Sequence, residues 1–179
     1  FAVTDFTQIN PHINRAMILQ ALHLLQLKGT ERVLDLFCGL GNFTLALATR
    51  AASVTGVEVS ETMVERVLQN ARHNQLETID AHAFDLTETV IDQVWAHTDY
   101  DTVVVDPPRS GAREVLETLP LNTVQQLLYV SCNPATLARD AAILKTRGFV
   151  LAEFGVMDMF PHTSHVESMA RFIPEACRG

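Results

Sequence analysis

Short apolar runs alternate with longer amphipathic or mixed stretches along the whole chain. The runs at 33–37, 54–58, 102–106 and 127–131 are too short for helices. They read as strands, and those at 33–37 and 102–106 are apolar enough to predict burial on both faces. A weaker strand is expected at 79–84, and two closing strands at 149–157 and 166–173. Between them, Asn10 and Pro11 read as a cap and first helical residue, opening a helix that stops near Gly29. Further helices are expected at 43–48, from a Ser60 cap to Asn74, at 86–96, at 113–119, and from Asn133-Pro134 to near Gly148. The alternation predicts an α/β fold: one domain over 1–179, with a mostly parallel seven-stranded sheet and helices on both faces.

In such sheets ligands bind beyond the carboxyl ends of the strands. Gly39, Gly41, Glu58, Asp85, Asp106 and Cys132 all fall at those ends. The segment Asp35-Leu36-Phe37-Cys38-Gly39-Leu40-Gly41-Asn42-Phe43-Thr44 is a strand entering a glycine turn and a helix, where free amides await a ligand. Glu58 ends the next strand and is suited to accept two ribose hydroxyls. A dinucleotide fingerprint would carry a third glycine where Thr44 stands. The competing reading is a tight turn with a solvated Glu58. Asp35, inside an apolar strand, weighs against that, because a buried carboxylate needs partners.

Composition narrows the function. Of 179 residues, 47% are hydrophobic and 19% charged, which excludes a disordered or low-complexity chain. No apolar run reaches the roughly 18 residues of a membrane helix. The opening residues show no basic stretch leading into an apolar one, so no secretory leader is expected, and a chain opening on Phe1 suggests a fragment. A net charge of −8 argues against strong nucleic-acid binding by this piece alone. Three widely spaced cysteines, Cys38, Cys132 and Cys177, make neither a disulfide framework nor a zinc site. A reducing cytoplasm is the expected setting.

The glycine turn, Glu58 and Asp106-Pro107-Pro108-Arg109 resemble the S-adenosylmethionine-dependent methyltransferases of the Rossmann-like class I type. Three further motifs sharpen the resemblance to the RNA uracil-5-methyltransferases, over nearly the whole chain. They are Phe6-Thr7-Gln8-Ile9-Asn10, Ser131-Cys132-Asn133-Pro134-Ala135-Thr136-Leu137, and 160–168 with its His165-Val166-Glu167. Met159-Phe160-Pro161-His162-Thr163 leans toward the 23S rRNA branch rather than the tRNA branch. The resemblance implies that Gln8, Phe37, Asn42, Glu58, Asp85 and Asp106 contact S-adenosylmethionine. Phe37 would lie against the ligand, Glu58 on the ribose and Asp85 near the adenine, where some members carry Asn. Gln8 and Asp106 are also implied to face the target base. Full-length relatives carry an upstream RNA-binding domain and, in one branch, an iron–sulfur cluster on four cysteines. Nothing in this chain corresponds to either, so it is expected to hold RNA weakly.

Methylating carbon 5 of uracil requires one reactive thiol and one carboxylate, acting on different steps. Cys132, just before a helix N-terminus, is the expected nucleophile, its thiolate favoured by the helix amides. An isolated cysteine is more often a small buried hydrophobe. Glu167 alone would read as an edge-strand charge, and the resemblance makes it the base. Arg109 is open between a phosphate contact and a carboxylate partner. His162 and His165 lack metal spacing, and Cys38 and Cys177 read as bystanders. The product would be 5-methyluridine in 23S rRNA. The alternatives are the same chemistry on tRNA or another RNA, a cofactor-binding module without turnover, and, remotely, a nicotinamide domain.

Overall fold

The computed structural model describes residues 11–158 and 166–177. Its strands are β1 (Arg32–Leu36), β2 (Ser53–Glu58), β3 (Ile79–Ala83), β4 (Thr102–Val105), β5 (Gln126–Ser131), β6 (Phe149–Asp158) and β7 (Val166–Pro174). The helices are α1 (Pro11–Leu25), α2 (Asn42–Ala48), α3 (Glu61–His73), α4 (Arg113–Thr118) and α5 (Pro134–Thr146). One sheet holds all seven strands in the order β3-β2-β1-β4-β5-β7-β6. The first five are parallel, and β7 runs antiparallel to both neighbours, β5 and β6.

Alternation along the strands feeds two cores, one on each face of the sheet. On one face Val33, Val54, Val104, Leu128 and Val130 meet Met17, Ala21 and Leu25 of α1 and Phe43 and Leu47 of α2. On the other, Leu34, Leu36, Val103, Val105, Leu127 and Tyr129 meet Val115 and Leu116 of α4 and Leu137 and Leu144 of α5. Burial on both faces is what the continuous apolar runs require.

Local chemistry sets the helix starts. The Ser60 side chain accepts from Met63 N, and Asn133 accepts from Ala135 N with Pro134 behind it. Asn10, the expected cap of α1, lies outside the described residues. That helix ends at Leu25, short of Gly29, because Gln26 takes a left-handed φ of 46°. One expected helix is absent: 86–96 forms turns followed by a single 3-10 turn, Val94–His97. Its apolar residues Leu86, Val90, Trp95 and Ala96 are buried in the α4/α5-side core, so they pack without helical spacing. The Tyr100 hydroxyl donates to Trp95 O at 2.9 Å and ties the segment down.

Cys38 has a packing role. Gly56 on β2 faces it so closely that an added Cβ would lie 2.9 Å from Cys38 Sγ. Gly56→Ala is therefore expected to destabilise the fold by about 1–3 kcal/mol through overpacking. Adding Cys38→Ala should recover part of that loss in a double-mutant cycle read by urea denaturation. Strictly additive losses would remove the contact from the account.

Candidate active site

The carboxyl edge of the sheet gathers the chemistry. After β1 the chain turns through Phe37, Gly39 and Gly41, with φ of 61°, 55° and 88°. Three left-handed residues in five reverse the backbone sharply, and a non-glycine at such a φ marks a conformation held by its surroundings. Phe37 packs at the margin of the core below. At Gly41 an added Cβ would press on Val67 of α3 at 3.3 Å, so the turn sits tightly on that helix.

Two carboxylates organise this turn. Glu58, ending β2, accepts from Gly39 N through one oxygen and from Ser60 N through the other, both at 3.2 Å. Asp35, fully buried in β1, accepts the Thr44 hydroxyl at 2.6 Å, while its Oδ1 has no hydrogen-bond partner in the structure. Thr44, where a dinucleotide fingerprint would carry glycine, is thus the partner that the buried carboxylate requires. Burial still pushes the Asp35 pKa up to about 7. Asn42 opens α2 and exchanges side-chain hydrogen bonds with Asn14 of α1, at 2.9 and 2.8 Å. Sequence reasoning missed Asn14, because one polar residue among several on α1 carries no distinctive signal. Asp85 follows β3, exposed, and takes the Thr87 amide and hydroxyl on one oxygen, which lowers its pKa.

A second group lies beyond β4, β5 and β7. The last β5–β7 pair is Ser131 with Ser168. One further step in that antiparallel register sets Cys132 beside Glu167. Cys132 feels the Glu167 charge and takes a hydrogen bond from the Arg109 guanidinium. Glu167 in turn feels Arg109, and Asp106, one residue past β4, feels both Glu167 and Asp35. The edge thus brings Phe37, Asn42, Glu58, Asp106, Cys132 and Glu167 to the same side of the sheet. Gln8, His162 and His165 lie outside the described residues.

Burial works against the acidity expected of Cys132 from its place before a helix. Its pKa is raised, first by burial and then by Glu167, with Arg109 pulling the other way. Cys132 precedes the Asn133 cap of α5, and its burial there disfavours the thiolate. Glu167 is also raised by burial, against the pull of Arg109. Arg109, open between a phosphate and a carboxylate partner, lies near enough to act on both groups. Its signal was the stiff Asp-Pro-Pro that precedes it.

The fit to a cationic ligand is direct. Asp35, Glu58, Asp106 and Glu167 make an acidic edge, with one buried carboxylate oxygen unpaired. A nucleoside carrying sulfonium and ammonium groups matches that charge. Among the described residues no three His, Cys, Asp or Glu side chains are placed to hold a metal ion, and no helix is long and apolar enough to cross a membrane.

The topology, with its reversed β7 and glycine turn after β1, is the Rossmann-like class I methyltransferase fold. The N-methyltransferase NodS from Bradyrhizobium japonicum shares it at TM-score 0.73 and 21% identity, over 93% of this chain and 89% of that one. Residues 1–172 match the tRNA (uracil-5-)-methyltransferase family model, and the chain belongs to that family. It is 55% identical over 172 residues to a 23S rRNA (uracil(1939)-C(5))-methyltransferase of Alcanivorax borkumensis, covering 96% of this chain and 39% of that protein. The Alkalilimnicola ehrlichii protein of the same description is 56% identical over 177 residues, covering 98% and 40%. The Pyrococcus abyssi tRNA (uracil-54, C5)-methyltransferase, solved with S-adenosyl-L-homocysteine, superposes at TM-score 0.81 with 30% identity, covering 95% and 40%. The chain thus spans about two-fifths of the length of the curated relatives it matches.

The raised carboxylates predict a pH dependence of stability. Asp106, pushed up to about 7 by burial and then by Glu167 and Asp35, titrates near 3.8 when unpacked. The folded chain holds this proton more tightly than the unfolded one. The contribution is therefore complete below pH ~4 and lost as pH rises toward ~7. Asp106→Asn should melt above the parent at pH 8 by roughly 2–8 °C, about 1–2 kcal/mol for a chain of this size. The gap should shrink toward pH 4. A gap independent of pH in calorimetry would contradict the assignment.

Proposed function

We propose that this chain is the catalytic domain of an S-adenosylmethionine-dependent RNA uracil-5-methyltransferase of the cytoplasm, acting on a uridine of 23S rRNA. The observation that carries the reading is the meeting of Cys132, Arg109 and Glu167 beside Asp106, at the same sheet edge as the glycine turn. The 23S choice rests on relatives of that description at 55% and 56% identity, against 30% for the archaeal tRNA enzyme.

S-adenosylmethionine, when bound, supplies an electrophilic methyl group on its sulfonium. Phe37, Asn42, Glu58, Asp85, Asp106 and Gln8 are the residues assigned to hold it. Glu58 would take the ribose hydroxyls while its amide bonds keep the turn in shape. The target base must leave its stack to reach this edge. Cys132, as thiolate, adds to carbon 6 of uracil and pushes electron density onto carbon 5. Arg109 stabilises the thiolate that burial disfavours. After carbon 5 has gained its methyl group, Glu167 removes the proton there. Burial, which raises its pKa, makes Glu167 a stronger proton acceptor than a solvated glutamate. The electrons left behind expel Cys132 and restore the ring. With a net charge of −8, the chain is expected to leave most RNA affinity to the rest of the full-length protein.

Glu58→Ala should weaken S-adenosylmethionine binding by about 1.5–3 kcal/mol, the size of a lost charge-assisted hydrogen bond. Isothermal titration measures it, and an unchanged dissociation constant would take Glu58 out of the site.

The catalytic division is tested in the full-length enzyme with methyl-labelled donor and 23S rRNA or tRNA transcripts. Cys132→Ala should abolish both transfer and any covalent adduct. Glu167→Gln should transfer one methyl group and stall as a labelled protein–RNA band on denaturing gels. Normal turnover by Glu167→Gln would shift the base to Asp106. Labelling of tRNA but not 23S rRNA would favour the tRNA reading.

A further inference from the structure

We propose that Asp140 is a positioning residue, acting through the loop 106–112 to hold Arg109 against the Cys132 thiol; this rests on the reading of Cys132 as nucleophile. Asp140 lies on α5, with no exposed surface. One carboxylate oxygen accepts the Tyr129 hydroxyl at 2.6 Å and the Ala112 amide at 2.7 Å. The other accepts Arg139 Nε at 2.8 Å, with Nη2 at 2.7 Å.

These bonds converge on the backbone around Arg109. Arg139 Nη2 donates to Ser110 O at 2.8 Å, and Asn133 Nδ2 to Arg109 O at 3.3 Å. Gly111, at φ 85°, donates its amide to Pro108 O at 2.9 Å. An added Cβ there would meet Asp140 Oδ2 at 2.6 Å and Arg139 Nη2 at 2.4 Å. Residues 106–112 form no helix or strand, and the side chains that hold their backbone come from α5 and its Asn133 cap.

A buried carboxylate is a poor source of net stability, since desolvation offsets most of what its partners return. What it supplies is a single loop conformation. Two oxygens serving three donor groups cannot be copied by an amide, which has one acceptor oxygen. The groups facing Cys132 are Arg109 from the loop and Glu167 from β7. Letting the loop drift would leave Glu167 without its counterweight.

The test is the pH dependence of Cys132 alkylation by iodoacetamide in the whole chain, followed by peptide mass spectrometry. The midpoint reads the charge around the thiol, and the plateau reads access. Asp140→Asn should move the midpoint upward and slow alkylation at pH 8 about three- to tenfold, with S-adenosylmethionine affinity within about twofold of the parent. Arg109→Met should do the same, and the double variant should be no slower than Arg109→Met alone. An unmoved midpoint in folded Asp140→Asn overturns the proposal, as does a further slowing in the Arg109→Met background. If Asp140→Asn fails to fold, Arg139→Met releases Ser110 from a side chain already 41% exposed. It should shift the midpoint the same way, and no shift overturns the proposal. Methyl transfer by enzyme fully alkylated at Cys132 would instead defeat the nucleophile reading, leaving the alkylation comparison to stand by itself.

Discussion

Strands buried on both faces keep most of their polar groups at their ends, with Asp35 inside β1 as the buried exception, and that constraint organises the molecule. β1, β4 and β5 are lined by Val and Leu on both sides of the sheet. Carboxylates, thiol and guanidinium therefore crowd one rim, where the strands stop and loops begin. Burial at this rim has an electrostatic cost: it pushes the pKa of Asp35 and of Asp106 up to about 7, with the Glu167 and Asp35 charges adding to the shift at Asp106. A cation placed against these carboxyls would favour their charged forms.

Much of this was legible in the residues. The apolar runs located all seven strands, and the glycines, Glu58 and Asp106 fell at their ends as parallel order requires. The segment 86–96 was misread because Leu86, Val90 and Trp95 have apolar spacing that suits a helix, yet their burial comes from packing under α4 and α5 rather than from a helical stripe. The reversal of β7 was not written in its own residues. Strand direction depends on which neighbour the chain reaches.

Site residues were legible where their chemistry is unusual. A carboxylate inside an apolar strand, or a cysteine before Asn-Pro, stands out in one dimension. Asn14 and Asp140 do not, because each matters through a partner distant in the chain: Asn42 for one, Ala112 and Tyr129 for the other. Burial and the Glu167 charge, which only the folded chain supplies, work against the acidity expected of Cys132 from its place before α5. Pairwise electrostatics at a rim built from three loops is a property of the assembled edge.

The reversed β7 divides the tolerance of the chain to length change. On its outer side, β6 carries an irregularity between Leu151 and Glu153, so one extra residue is already absorbed there. Leu151, Phe154 and Val156 stay opposite Phe172, Ala170 and Ser168, on one face, in spite of it. The inner side has no such slack. Ser168 is buried and donates to Ser131 O at 3.1 Å, so a one-residue slip would exchange it with Glu167 and turn the carboxylate to the opposite face. Insertions and deletions should therefore accumulate at the outer edge during divergence, while the ladder between β5 and β7 keeps its count.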